Sequence, residues 1–334
     1  MSLDQTAKSA STQRSRSRFT FSRHMNELSL FVAIAVLYVV FTSTANGFLS
    51  FNNQINILRD AATIGIAAWA ATLIIIAGEI DVSVGPMVAF ISVVLAFFLQ
   101  WGIPTPLAFA LAIIVGALLG SIPGALRAYF DVPSFVGTLG LWSALRGTAL
   151  FVTDALPVSI GRNDTLDALD RSFLNIPPAA IVMLVFFVVF TFVSRKTAFG
   201  RSVFAIGGNA HAALLSGINV SKIRVALFAI AGAMAAISGI LLVSRLGSGN
   251  ATAATGLEFD VIAAVVVGGT SLSGGRGSML GTLLGVLVIT LIGNGLVLLG
   301  INPFFQQVVR GLIIVIAVLA NIQAIKRSMS RNKG

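Results

Sequence analysis

The chain has 334 residues, of which 56% are hydrophobic and only 10% charged, with a mean hydropathy of +0.95. Soluble domains carry about 25% charged residues, so this chain lacks the polar surface of a soluble enzyme, a secreted scaffold or a disordered protein. Its formal net charge of +10 belongs either to membrane orientation or to nucleic-acid binding, and with no cysteine and only His24 and His211 as histidines it offers no disulfide, thiolate metal site or histidine cluster.

The Ser/Arg-rich residues 1–27 precede a first apolar run, Leu28–Ala45, that lacks a clear small-residue cleavage site. They read as a retained cytoplasmic tail followed by a first span. Seven further runs have spanning character: Ala61–Ala77, Met87–Trp101, Leu107–Leu126, Ala179–Val193, Val225–Val243, Met279–Leu299 and Val308–Ile322. Two weaker ones join them. Val132–Thr153 carries Ser134, Thr138, Ser143, Arg146 and Thr148, and Val261–Gly269 is short and lies between Asp260 and Thr270. The expectation is an all-α, polytopic transmembrane helix bundle of about ten spans, broken or short near Gly78–Gly85 and Val261–Gly277. The tails are 1–27 and 326–334, with a membrane domain at 28–325 and a long connection at 195–224.

With the N-terminus placed in the cytoplasm, most Lys and Arg fall on that side: five in the tail, Arg127, five between Arg195 and Arg224, Arg276 and four after Gln323. Arg59, Arg162, Arg171 and Arg245 fall outside, and Arg146 and Arg310 sit within spans. This bias is that of cytoplasmic loops, so the charge reads as orientation and both termini are expected in the cytoplasm. The segment Asp154–Pro178, with Asp154, Asp164, Asp167 and Asp170, reads as a solvated outer loop or a docking surface for an extracytoplasmic partner.

Gly116-x-x-x-Gly120-x-x-x-Gly124 and Gly281-x-x-x-Gly285 mark close helix packing. An internal echo relates Ala70–Gly78 with the following GEIDVSVGPM to Ala263–Gly269 with the following GTSLSGGRGSM. Both runs break at glycine and resume as helix, at Met87 and Met279. Nonhelical backbone at membrane depth must be covered by protein or line a watery cavity, so the two breaks are expected at an internal interface.

Chemistry-bearing residues are sparse. No phosphate loop, H-E-x-x-H or G-x-S-x-G is present, and Gly207-Gly208 and Gly274-Gly275 lack the lysine that clamps a nucleotide. No enzymatic activity and no cofactor are expected on this chain. Glu79 and Asp81 read as solvated helix-end residues or hydrogen-bond acceptors for the surrounding loop, or as a proton or sodium site. Arg146 and Arg310 fall in the outer third of a hydrocarbon core roughly 30 Å thick. They either snorkel outward or, with Trp142, Phe304, Gln306 and Gln307, line a polar vestibule suited to a carbohydrate ring.

The connection Arg195–Arg224 is too long for a turn and too apolar for a loose linker. Within it Asn209–Leu215 reads as a short helix capped by Asn209, with Ala212, Ala213 and Ser216 as a small face open to a partner groove.

Four blocks carry a resemblance: GEIDVSVG at Gly78–Gly85, Gly137-Thr138-Leu139-Gly140 with Arg146-Gly147, FGRSVFAIGGNAHAALLSGI at Phe199–Ile218, and VIAAVVVGGTSLSGGRGSMLGTLLG at Val261–Gly285. Over about Leu28 to Gln323 the sequence resembles the permease subunits of bacterial ATP-binding-cassette (ABC) importers for ribose, xylose and arabinose. The resemblance implies a coupling helix that docks on a cytosolic ATPase, with Gly208, Asn209, Ala212, Ala213, Ser216 and Gly217 in that role. It also implies a second permease copy or homologue, an extracytoplasmic sugar-binding protein, and residence in the bacterial inner membrane. An ion-coupled secondary sugar transporter working alone is the alternative.

Overall fold

The computed structural model describes residues 27–171 and 176–330, mainly as helix. The expected N-terminal tail lies, apart from Glu27, outside the described residues. Thirteen helices are present among the described residues. They are α1 (Glu27–Thr44), α2 (Phe51–Ile76), α3 (Val84–Gln100), α4 (Thr105–Tyr129), α5 (Ser134–Thr153), α6 (Asp164–Asp170), α7 (Pro178–Lys196), α8 (Ala198–Gly208), α9 (Ala210–Leu215), α10 (Val220–Leu246), α11 (Leu257–Val267), α12 (Met279–Leu298) and α13 (Pro303–Ser330). Seven are long and apolar enough to cross a bilayer: α1, α2, α4, α5, α7, α10 and α12. Helices α3, α11 and α13 coincide with the other three expected runs and are not among those seven.

At 26 residues α2 runs about 39 Å and is the central post, buried through almost all of its second half, from Ile64 to Ile76. Trp69 is fully buried there, and its indole N–H donates to the Met183 carbonyl at 3.2 Å, fixing α7 against it. The glycine ladder Gly116, Gly120 and Gly124 lets α4 lie directly on α10: a Cβ at Gly120 would collide with the Phe228 carbonyl and Gly232. Gly281 and Gly285 bring α12 equally close to Gly268 and Ala264 of α11. Outward faces are apolar, with Phe31, Val36 and Val39 on α1, Leu118 on α4, Val188 and Phe192 on α7, and Leu312 and Ile316 on α13 all exposed. Such a surface is soluble only in lipid.

One end of the bundle carries α8, α9 and the Lys and Arg residues of 195–224; we call it the basic end. At the opposite end residues 154–171 are anchored to the bundle. Val158–Ser159 (β1) pairs antiparallel with Ser248–Gly249 (β2), Leu166 of α6 is buried, and Arg59 reaches the side chain of Asp170 at 3.3 Å.

Candidate functional site

At the basic end the chain breaks and the Arg195–Arg224 connection converge. Helix α2 stops because Gly78 adopts φ +80°, which lets the Glu79 and Gly78 amides bond back to the Ile74 and Ile75 carbonyls. Helix α11 stops in the same way: Gly269 is at φ +87°, and the Thr270 amide bonds to the Val265 carbonyl. The internal echo is therefore structural, although helix resumes at Val84 rather than Met87 in the first copy. The two breaks meet where the Gly275 amide donates to the Ile76 carbonyl at 2.8 Å. Gly207, at the end of α8, lies on that same bond, and a Cβ there would overlap Ile76 O and the Gly275 nitrogen.

From this junction α9 projects. Asn209 caps it, its side chain accepting from the Ala212 amide at 3.0 Å. Gly217 at φ +85° ends it and lets the Ile218 amide bond to the Ala213 carbonyl. Gly208, Asn209, Ala212, Ser216 and Gly217 are all exposed. Ala213 is not: it packs with Ile206 and Val220, so it seats α9 on its own chain instead of offering a face to a partner groove. The residues that do stand out are Leu214 and Leu215, 56% and 76% exposed. Two adjacent leucines this exposed on a six-residue helix are unusual without a partner. The sequence reading, drawn to small residues, missed them.

Glu79 and Asp81 are not solvated helix-end residues; both are buried. Asp81 accepts from the Ser83 amide and hydroxyl at 2.8 and 2.6 Å, as a loop-stabilising acceptor. Glu79 receives both its oxygens' contacts from Arg127 Nε, at 3.0 and 3.1 Å, and an ion-pair contact of 2.7 Å from Arg224 Nε that lies off the hydrogen-bond direction. Because Arg224 opens α10 just after α9, this carboxylate ties the connection, α4 and the first break together.

Between the ends, one face of α5 serves both broken spans. Ser134, Thr138, Trp142 and Arg146 recur at i, i+4, i+8 and i+12. Ser134 and Thr138 side-chain oxygens accept from the Ile80 and Val82 amides at 3.1 and 3.3 Å. Trp142 donates to Glu258 at 3.0 Å, and Arg146 donates to the carbonyls of Ala251 and, at 3.0 Å, Ala253. These bonds satisfy extended backbone that lipid cannot. They also bring the N-termini of α3 and α11 together, with Gly85 lying against the Glu258 carboxylate.

On the other side of α11, Arg310 pairs with Asp260 at 3.1 Å. Trp142, Arg146 and Arg310 therefore converge on the segment 251–260, and neither arginine snorkels outward. Gln306 and Arg310 also line a cavity of about 510 Å³ bounded by α2, α10, α11, α12 and α13. Phe304 and Gln307 do not join them; Phe304 is 78% exposed on the outside of α13. Glu258, Asp260, Asn53, Thr290 and Asn294, which shape this region, carried no role in the sequence reading. The signal available was Thr290 and Asn294 at i, i+4 in a largely apolar helix.

A family model described as "Branched-chain amino acid transport system / permease component" matches residues 53–318. The chain is 68% identical over 307 residues to the "Probable ABC transporter permease protein YphD" of Escherichia coli (strain K12), covering 92% of each chain. It is 41% identical to the "Ribose import permease protein RbsC" of Bacillus subtilis (strain 168), over 93% of this chain and 98% of that one. Identity to the "Xylose transport system permease protein XylH" of E. coli K12 is 34%, over 90% and 93%. No solved structure matches the chain.

Proposed function

This chain belongs to the family of branched-chain amino acid transport system permease components, and from that premise we propose that it is the membrane-spanning subunit of an ABC importer that carries a monosaccharide or related small polyol inward. ATP is hydrolysed by a separate cytosolic subunit docked at the basic end. A second copy of the chain, or a homologous permease, completes the passage, and an extracytoplasmic binding protein delivers the sugar to the opposite end. In this reading the termini are cytoplasmic, in accord with the Lys and Arg bias.

The observation that carries the mechanism is the seating of α9. It leaves Leu214 and Leu215 exposed, and α8 ends beside it at Gly207, on a hydrogen bond that joins the two chain breaks. A force applied by the ATPase at α9 reaches both breaks through backbone contacts and reaches α4 through Arg224 and Glu79. The chain contributes coupling and a path; a driven change of access requires that the motor bind the two conformations with different affinity.

The test is reconstitution of the chain with its ATPase in liposomes, with D-ribose and D-xylose as probes. Uptake is expected to require ATP and binding protein, and Leu214→Asp with Leu215→Asp is expected to abolish both uptake and ATPase association while leaving the chain folded. Accumulation by the chain alone, driven by an ion gradient and indifferent to ATP, would overturn the proposal in favour of a secondary transporter.

A further inference from the structure

We propose that the elbow between α7 and α8 is a binding site for an anionic phospholipid, phosphatidylglycerol, with the headgroup phosphate on Arg195, Lys196 and Arg201 and the acyl chains on the outward stripe of α7. The proposal concerns the leaflet at the basic end and does not depend on the solute carried.

One face of α7 belongs to the bundle and the other is open. Ala180, Met183, Phe190 and Ser194 are buried, whereas Ile181, Leu184, Val185, Val188, Val189 and Phe192 are exposed. These six recur at i, i+3, i+4, i+7, i+8 and i+11, which is a single stripe on a helix. Continued by one turn, the same spacing ends on Arg195 and Lys196, both exposed. From Val185 to Arg195 the rise is about 15 Å, half of a hydrocarbon core about 30 Å thick. The stripe with its two cations therefore matches one lipid in one leaflet, in length and in the order of apolar and charged parts.

The elbow adds a third cation. Helix α8 folds back tightly, since a Cβ at Gly200 would overlap the Val193 and Ser194 carbonyls, and Thr197 caps it by accepting from the Gly200 amide at 3.1 Å. This turn carries Arg201 to the end of α7, where its Nη1 lies 3.5 Å from the Lys196 carbonyl oxygen. No acid answers the three. Between Asp170 and Glu258 the sequence has neither Asp nor Glu, and none of the three is in an ion pair among the described residues. Arg127 and Arg224, at the same end, both meet Glu79. A helix C-terminus favours cations, which accounts for Arg201 beside a carbonyl but not for Arg195 and Lys196, which bond to none. An anionic leaflet attracts such a cluster, and arginine suits a phosphate.

An acidic surface on the ATPase is the other anion that could meet this patch. The stripe decides for the lipid: Arg195 and Lys196 continue the face that lies among acyl chains, and the whole of α8 separates them from the exposed Leu214 and Leu215 of α9.

The chain has no native cysteine, so Phe192→Cys, on the stripe one turn before Arg195, carries a single bimane reporter. The full chain is reconstituted in mixed phosphatidylcholine and phosphatidylglycerol vesicles, with brominated acyl chains on one lipid or the other as quencher. One cation near an anionic surface is worth about a five-fold preference, so phosphatidylglycerol is expected to be preferred at the reporter by more than about ten-fold. Combining Arg195→Gln, Lys196→Gln and Arg201→Gln is expected to bring the preference below about two-fold. Lys222→Gln, which removes an exposed cation of the same end away from the stripe, is expected to leave it unchanged. Equal quenching by the two lipids without these substitutions overturns the site, as does a preference that survives the triple substitution. A preference lowered as much by Lys222→Gln overturns it in favour of diffuse surface charge. Loss of ATPase association in the triple variant with the lipid preference intact overturns it in favour of the motor.

Discussion

Glu79 holds two arginines at the edge of the bundle, and its removal has a defined cost. With the carboxylate 5% exposed and Arg224 and Arg127 13% and 25% exposed, Glu79→Gln leaves two half-desolvated cations facing each other. The expected loss is on the order of 2 kcal/mol, below the 3–5 of a fully buried pair because Arg127 keeps some contact with solvent. It should appear as a lowered Tm of the purified chain, partly restored by adding Arg127→Gln. An unchanged Tm would mean that the cluster carries no net stabilisation. Glycine makes the opposite kind of demand. At Gly85 an alanine methyl would meet the Glu258 carboxylate and the Ala254 carbonyl where α3 and α11 touch, so Gly85→Ala should cost about 1–3 kcal/mol. Gly140→Ala, on an open face of α5, should cost nothing measurable in the same assay.

Among the elements, α5 does the most with the least apolar material. Its polar positions look like a defect in a membrane helix until the extended segments they serve are in view. Replacing Ser134 by Ala and Thr138 by Val should leave the Ile80 and Val82 amides without partners, at roughly 1–3 kcal/mol each. Hydrogen exchange at those two amides is the direct readout, and protection equal to wild type would show that another acceptor takes over. In α9 the corresponding change is Asn209→Ala, which removes the cap bond to Ala212 at a cost of about 1 kcal/mol. The expected result is weaker ATPase coupling with the bundle's Tm little changed.

The spans were legible because burial in lipid requires long apolar runs, a local property. The breaks were legible too, since Gly78 and Gly269 sit where an apolar run ends and only glycine takes positive φ easily. What covers the breaks was not legible. Trp142 and Glu258 lie 116 residues apart, and nothing local pairs them. The direction of a short helix was equally hidden: Ala212 and Ala213 are alike in sequence, yet one is exposed and the other buried, and the choice depends on Ile206 and Val220 beneath them.

For the molecule as a whole, the charge distribution yields a prediction about sidedness. The basic end holds α8, α9 and the start of α10, and the acidic helix α6 marks the other. In a cell, an impermeant maleimide added from outside should label Asp164→Cys, in the first turn of α6, and leave Leu215→Cys untouched until the membrane is breached. The reverse pattern would invert the orientation and with it the proposed site of the ATPase.

The bond between Gly275 and Ile76, with Gly207 resting on it, makes a single knot from which α3 and α12 both depart after their separate turns. Two arms that share one pivot cannot be timed independently. A nudge delivered there would swing both together, geared in step by the backbone itself, with no need for a second signal to order them.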